Sequence, residues 1–309
     1  MVAPEHPCHR TNIFKHVWPK QHKLLAILNL TPNSFSDGGR FSSFKSVQQL
    51  ISFLYTQGVR HLDFGAESTA PSHLPVDLET EWQRFETYLI PVISQIPDGL
   101  VISFDTYKPE ICRRLMQAFA KRKEDFTFIW NDVSGVVDQE GLAVLFDYPA
   151  LFYVLNFNLC LSRENVLNHK NFILNIDSQK NFFQSMANFF FETQKNQLRL
   201  IQPNRIIYDP GFGFSKSREQ NLWLLNAFLT DHVDDVDHGL NFLFKHGHLM
   251  LGISRKSFLR SADDNLLQGE LKFNQADLQE YQWMLGVSQK WANQRCLFRT
   301  HVPISWSVV

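Results

Sequence analysis

Cysteine is scarce and scattered in this chain. Cys8, Cys112, Cys160 and Cys296 are far apart, and no two share a CxxC or other metal-ligand spacing. That argues against a disulfide framework or a zinc cluster and points to reduced thiols. A dominant charge is missing too: 30 Lys+Arg against 31 Asp+Glu leave a formal net charge of -1. No global field therefore recommends nucleic acid or an anionic membrane as a partner, and any anion site must be local. Long apolar runs are also lacking. Nothing approaches the roughly 18 consecutive apolar residues of a membrane span, and "MVAPEHPCHRTNIFKHVWPK" lacks the apolar core of a secretory signal. A soluble, cytoplasmic protein is the expectation.

Hydrophobic residues make up 44% of the 309 residues, enough for a large core, and Phe is abundant with 28 copies. Several lie in "NFFQSMANFFFETQ" (181–194), where aromatics at helical spacing read as packing, against the body of the protein or across a dimer. The length fits two domains or one α/β barrel. Eight short aliphatic runs decide between them: 24–29, 60–65, 100–105, 126–132, 151–156, 205–210, 248–254 and 296–301. Between them lie longer amphipathic stretches, read as helices over 45–57, 78–94, 109–120, 178–196, 218–229 and 275–293. The acid- and histidine-bearing "TDHVDDVDHG" (230–239) reads as a solvated loop, since nothing else converges there.

Polar residues collect at one end of these runs. Asn29, Asp63, Asp105, Asn131 with Asp132, Asn156, Asp209, Ser254 with Arg255, and Arg299 with His301 all close their strands. In a closed barrel of parallel strands those ends form the ligand-binding face. An open doubly wound sheet would bind at the same ends, but no GxGxxG follows the first strand and no domain break divides the eight. The expectation is a single-domain (β/α)8 TIM barrel over 23–309, preceded by an N-terminal extension, 1–22.

Read together, "ILNLTPNSFSDGGRF", "LDFGAESTAP", "ISFDTYKPE", "NDVSG", "IIYDPGFGFSK", "LGISRKSF" and "RTH" resemble dihydropteroate synthase, of the pterin-binding enzyme family, in the family's order across about residues 24 to 302. The resemblance implies a transferase of folate synthesis. The amine of p-aminobenzoate would displace pyrophosphate from the methylene of 6-hydroxymethyl-7,8-dihydropterin pyrophosphate, giving dihydropteroate. It implies a pterin site of Thr69, Asp105, Asn131, Asp209, Phe214 and Lys256. Asp209 would be the central carboxylate, an acceptor for two parallel hydrogen bonds from the ring's N–H edge. Asn29, Arg299 and His301 would cradle pyrophosphate, with Asn29 also a ligand for Mg2+. Phe35, Pro71, Arg255 and Ser257 would hold p-aminobenzoate, a helix start near Ser257 offering N–H groups to its carboxylate. Asp37, Lys256 and Arg255 would act at the reacting centre, Asp37 stabilising the cationic methylene as pyrophosphate leaves. The glycine-bearing segment after Asn29 would be a lid. The family further implies a homodimer.

The chain departs from the family's pattern in places. Ala70 and Ser72 stand in "GAESTAPS" where a GGESTRPG-like pattern has arginine and glycine, and Asn33 replaces an aspartate. Losing that arginine's contact would cost about 2 to 4 kcal/mol in the transition state. "NFN" (156–158) replaces an MHM-like sequence, Ser215 stands where glycine is common, and no aspartate follows His301. Two readings stay open: a working synthase, or a paralogue that binds a pterin but lacks the transfer step or uses another second substrate.

Overall fold

The computed structural model describes residues 24–31, 44–68, 74–229, 248–254, 256, 258, 275–290 and 296–301. Eight strands alternate with helices: β1 (Leu24–Asn29), α1 (Phe44–Thr56), β2 (His61–Gly65), α2 (Leu78–Tyr88), β3 (Val101–Asp105), α3 (Pro109–Ala118), β4 (Thr127–Asp132), α4 (Gln139–Asp147), β5 (Phe152–Asn156), α5 (Gln179–Glu192), β6 (Ile206–Asp209), α6 (Arg218–Ala227), β7 (His248–Leu251), α7 (Gln275–Lys290) and β8 (Cys296–Thr300). Each strand pairs in parallel with its successor, and β8 pairs with β1 through Leu24↔Phe298, Leu25↔Arg299 and Ala26↔Thr300. The sheet is a closed barrel in sequence order, as expected. The extension over 1–22 and the acidic loop over 230–239 lie outside the described residues. Among the described residues no helix is long and apolar enough to cross a membrane.

Both faces of such strands are covered, so the runs are almost continuously apolar. The period-two alternation then sorts side chains between two cores. Leu25, Val101, Ile129, Val154, Ile207, Met250 and Leu297 meet inside the barrel as an apolar plug. Their neighbours one residue along, among them Ala26, Ile102, Trp130, Tyr153, Tyr208 and Phe298, pack outward against the helices. Continuing the inward set toward the C-terminal strand ends gives Asn29, Asp63, Asp105, Asn131, Asn156, Asp209 and Arg299. The plug closes the barrel below them. The inward polar ring is therefore the floor and wall of a cup.

Three helices differ from the sequence expectation. The stretch 78–94 breaks after Tyr88, and Ile90–Gln95 continues as a 3-10 turn because Pro91 has no N–H to extend α2. The stretch 178–196 is α5 followed by a π-helical turn, Thr193–Gln197. α4 was not foreseen; the Asp138 carboxylate caps it by accepting from Gly141 N at 2.8 Å. The Phe-rich α5 is largely packing, as the spacing implies: Phe182, Phe183 and Phe190 are fully buried, and Phe157 at the end of β5 sits edge-on to Phe182 and Phe189.

Candidate active site at the C-terminal mouth of the barrel

The register aligns the ends of neighbouring strands. Asn29 lies opposite Gly65, Gly65 opposite Asp105, Asp105 opposite Asn131, and Asn156 opposite Asp209. Gly65 matters here: a Cβ would come within 3.3 Å of Asp105 Cβ and Oδ2, so a side chain on β2 would crowd that carboxylate. At the base of the second loop, Glu67 accepts from Val76 N at 3.1 Å, the Tyr107 hydroxyl at 3.0 Å and Lys108 Nζ at 2.5 Å.

Arg299 organises one side of the cup. Its Nε donates to Asp63 Oδ2 at 2.6 Å and its Nη2 to Asp105, while Nη1 has no partner among the described residues. Asp63 is fully buried, and Asn131 Nδ2 approaches it only at 3.4 and 3.5 Å, leaving Asn131 Oδ1 without a partner. Burial raises the Asp105 carboxyl, Arg299 pulls it down, and the charge of Asp63 raises it again. Two buried carboxylates thus share one guanidinium.

Asp209 forms the opposite wall. Its Oδ1 accepts from Gly211 N at 2.7 Å, and no other described group hydrogen-bonds to it. Burial raises its pKa, while the Gly211 hydrogen bond, Lys256, Lys216 and Arg299 oppose that rise. The loop after β6 is held by Lys216, whose Nζ donates to the carbonyls of Phe157, Gly211 and Phe214 at 3.1, 2.8 and 2.9 Å. That clamp presents Phe214, and Lys256 Nζ sits 4.5 Å from the centre of its ring. Gly213, at φ 83, gives the lysine stem room, since a Cβ there would meet Lys256 Cδ at 3.2 Å. Gly211 is constrained further: at φ 67, a Cβ would fall 2.5 Å from Phe157 O. Gly211→Ala is expected to destabilise by about 2 kcal/mol or more and to lower Tm by roughly 3 °C or more, measured by thermal denaturation.

Desolvation, with Arg299 adding repulsion and Asp209 and Asp105 opposing, lowers Lys256 to about 8. The cationic form then dominates only below that pH. For a ligand that needs the ammonium, kcat/KM is expected to fall as pH rises through about 8, and Lys256→Arg is expected to push that limb upward by more than one unit. An unshifted limb in a pH-rate profile would show that Lys256 is not the titrating group.

The β5 end differs from a simple apolar wall. Asn158 is tied in: its Nδ2 donates to Val133 O at 2.8 Å and its Oδ1 accepts from the Ser215 hydroxyl at 2.8 Å. Ser215 has φ 45 and its Oγ also accepts from Leu159 N at 3.0 Å. His169, from the β5–α5 connection, packs edge-on to Phe214 at 4.9 Å between ring centres, and burial lowers its pKa to about 4.

The structure brings Asn29, Asp105, Asn131, Asp209, Phe214, Lys256, Arg299 and His301 to one mouth. His301 stands at the end of β8, beside β1, with Ser254 Oγ 3.1 Å from its Nδ1 and accepting from its backbone N at 3.2 Å. Phe35, Asp37, Thr69, Pro71, Arg255 and Ser257 lie outside the described residues, as does Ala70. Asp132, a strand-end acid, faces outward instead, paired to Arg163 at 2.7 Å and to the Tyr153 hydroxyl at 3.1 Å. Asp63 is one of the polar strand ends read from the sequence but has no assigned role there; its inward parity, two residues before Gly65, is the signal that points it into the cup. Among the described residues no three His, Cys, Asp or Glu side chains are grouped to hold a metal.

A family model described as pterin binding enzyme matches residues 25–296. The chain is 31% identical over 258 residues to a dihydropteroate synthase of Streptococcus pyogenes, covering 82% of this chain and 81% of that one. A mitochondrial folate synthesis bifunctional protein of Pisum sativum is 30% identical over 249 residues; the match covers 78% of this chain but only 44% of that larger protein. Among solved structures, dihydropteroate synthase from Clostridium difficile, crystallised in the presence of pteroic acid, superposes with a TM-score of 0.67 at 25% identity, covering 93% of each chain. The closed barrel, the carboxylates gathered at its mouth and these matches agree, and the chain belongs to the pterin-binding enzyme family.

Proposed function

We propose that this chain is a dihydropteroate synthase, condensing 6-hydroxymethyl-7,8-dihydropterin pyrophosphate with p-aminobenzoate in folate synthesis. The observation that carries the reading is the wall at β4 and β6. A buried carboxylate with one oxygen uncommitted, Asp209, lies within electrostatic reach of the Lys256 ammonium, and β4 contributes an unpartnered carbonyl, Asn131 Oδ1. That array matches a flat ring with adjacent N–H donors and one carbonyl acceptor. Asp209 accepts from the ring's donor edge, Lys256 donates to the carbonyl side, and Phe214 covers a face.

The amine of p-aminobenzoate attacks the exocyclic methylene; a C–N bond forms as the C–O bond to diphosphate breaks, its electron pair leaving on the diphosphate oxygen. The aniline proton is lost to water. A neutral aromatic amine is already nucleophilic, so catalysis rests on positioning and on stabilising the leaving anion. Arg299 Nη1 faces that anion from the β8 side, with His301 next along the strand end. Asn29, half-buried at the end of β1, offers one neutral oxygen. That fits a single-ligand role for Mg2+, which keeps several waters and takes substrate phosphate oxygens. Bound there, the ion would neutralise charge on the departing diphosphate. The family resemblance also supports a homodimer in the cytoplasm, and sedimentation checks the first.

The test is purified protein with both substrates and Mg2+. Dihydropteroate formation supports the synthase; pterin binding without turnover supports the non-transferring paralogue; neither would end both readings. Ala70→Arg is expected to raise turnover by about 30-fold or more, the missing contact being worth about 2 to 4 kcal/mol. An unchanged kcat would remove that departure as a cause of weak activity.

A further inference from the structure

Asn156 ends β5 on the inward face, is 1% exposed, and has no hydrogen-bond partner at either Nδ2 or Oδ1. The contrast two residues on is informative, because Asn158 is bonded through both ends of its amide. A buried amide with neither donor nor acceptor satisfied is unfavourable in the ligand-free protein, and an apolar side chain of similar size would remove the penalty. Its surroundings are those of the substrate wall. Asp209 is its register partner on β6, and Asn131 on β4 carries a second unpartnered oxygen. Gly211 leaves it space, since a Cβ there would lie 2.6 Å from Asn156 Oδ1.

We infer that Asn156 is a specificity-determining residue, whose amide hydrogen-bonds the ring edge of the pterin beside Asp209. The family's MHM-like sequence offers a thioether at this position, with no N–H to give. This chain therefore reads one more polar position on its heterocycle, and it does so at the expense of ligand-free stability. The inference rests on the pterin reading above.

The experiment is calorimetric titration of 6-hydroxymethylpterin into wild type, Asn156→Met and Asn156→Ala, with Tm of each ligand-free protein and the KM for each substrate. Both variants are expected to bind the pterin about tenfold more weakly, with the rise in KM confined to the pterin substrate. Ligand-free Asn156→Met is expected to melt above wild type. Asn156→Ala, which cannot overpack, answers the affinity question if the methionine variant does not fold. Variants that bind as tightly as wild type would overturn the inference, as would a lower Tm for Asn156→Met with unchanged affinity. If wild type itself takes up no pterin, the functional reading falls and this inference with it; if wild type binds and the variants match it, only this inference falls.

Discussion

Asp209→Asn is expected to lower kcat/KM by about 10²- to 10⁴-fold while leaving the barrel intact. The substitution is nearly isosteric, and the Gly211 N–H can still be accepted by an amide oxygen. What changes is the outward half of the group. A carboxylate can take two charge-assisted hydrogen bonds, each worth about 1.5 to 3 kcal/mol. The amide replaces one acceptor with an NH2 that points donor against donor at the ring. Stability moves the other way. Burial raises the folded pKa of Asp209 above its unfolded value, so the ionised group weakens the fold at neutral pH, and the weakening eases as pH falls through that raised value. The neutral variant should therefore melt at or above wild type near pH 7.5. Activity within tenfold of wild type, in an assay at saturating p-aminobenzoate, would remove Asp209 from the centre of the site.

The second large effect is structural. Arg299→Met is expected to destabilise the protein by about 3 to 5 kcal/mol near pH 8, because removing one partner of a buried ionic cluster strands the others. Asp63 and Asp105 both lean on this guanidinium, and Asp63 has no exposed surface through which water can replace it. The sign with pH follows. Burial already raises the Asp105 carboxyl against the pull of Arg299; without the cation that rise grows, so the loss is largest when the carboxyl must ionise and shrinks as acid protonates it. Urea denaturation at pH 8 and pH 5 measures the difference. The triple variant Asp63→Asn, Asp105→Asn, Arg299→Met should recover much of the stability but none of the turnover. A destabilisation independent of pH would mean that lost packing, not stranded charge, is the cause.

The barrel was legible because its code is local. Strands covered on both faces must be apolar runs, and those of β1 to β8 stand out at near-correct boundaries; the first residue of several sequence runs, such as Arg60 or Leu100, lies just outside the ladder. The amphipathic pattern over 78–94 runs on across Pro91, where the helix itself stops, and Gly141 with a mixed composition blurs the periodicity of α4. The positions gathered at the mouth were legible where a strand-end motif carried them, as for Asp105, Asn131, Asp209, Lys256 and Arg299. Asp63 was legible only as a polar strand end; its ion pair was not, because its partner on β8 is 236 residues away and only closure brings them together. Asp132 and Asn131 are adjacent in sequence and equally polar, yet strand parity sends one to the helices and the other into the cup. The satisfaction of Asn158 and the isolation of Asn156 are tertiary facts that no local pattern records.

The bond between Ser215 and Asn158 bears on the chain's history. In sequence the two look like separate departures, one after β5 and one after β6. In the fold they are one: a serine at φ 45 is strained, and its hydroxyl is fastened to the amide across the gap. Neither reverts freely alone. Glycine at 215 would leave the buried amide oxygen only the weak Cys160 thiol donor, and an apolar residue at 158 would leave the strained hydroxyl only the long 3.4 Å contact to His169 O. The two positions are therefore coupled: changing either one alone trades a short buried hydrogen bond for a weaker one, whereas changing both together removes the donor and its acceptor at once.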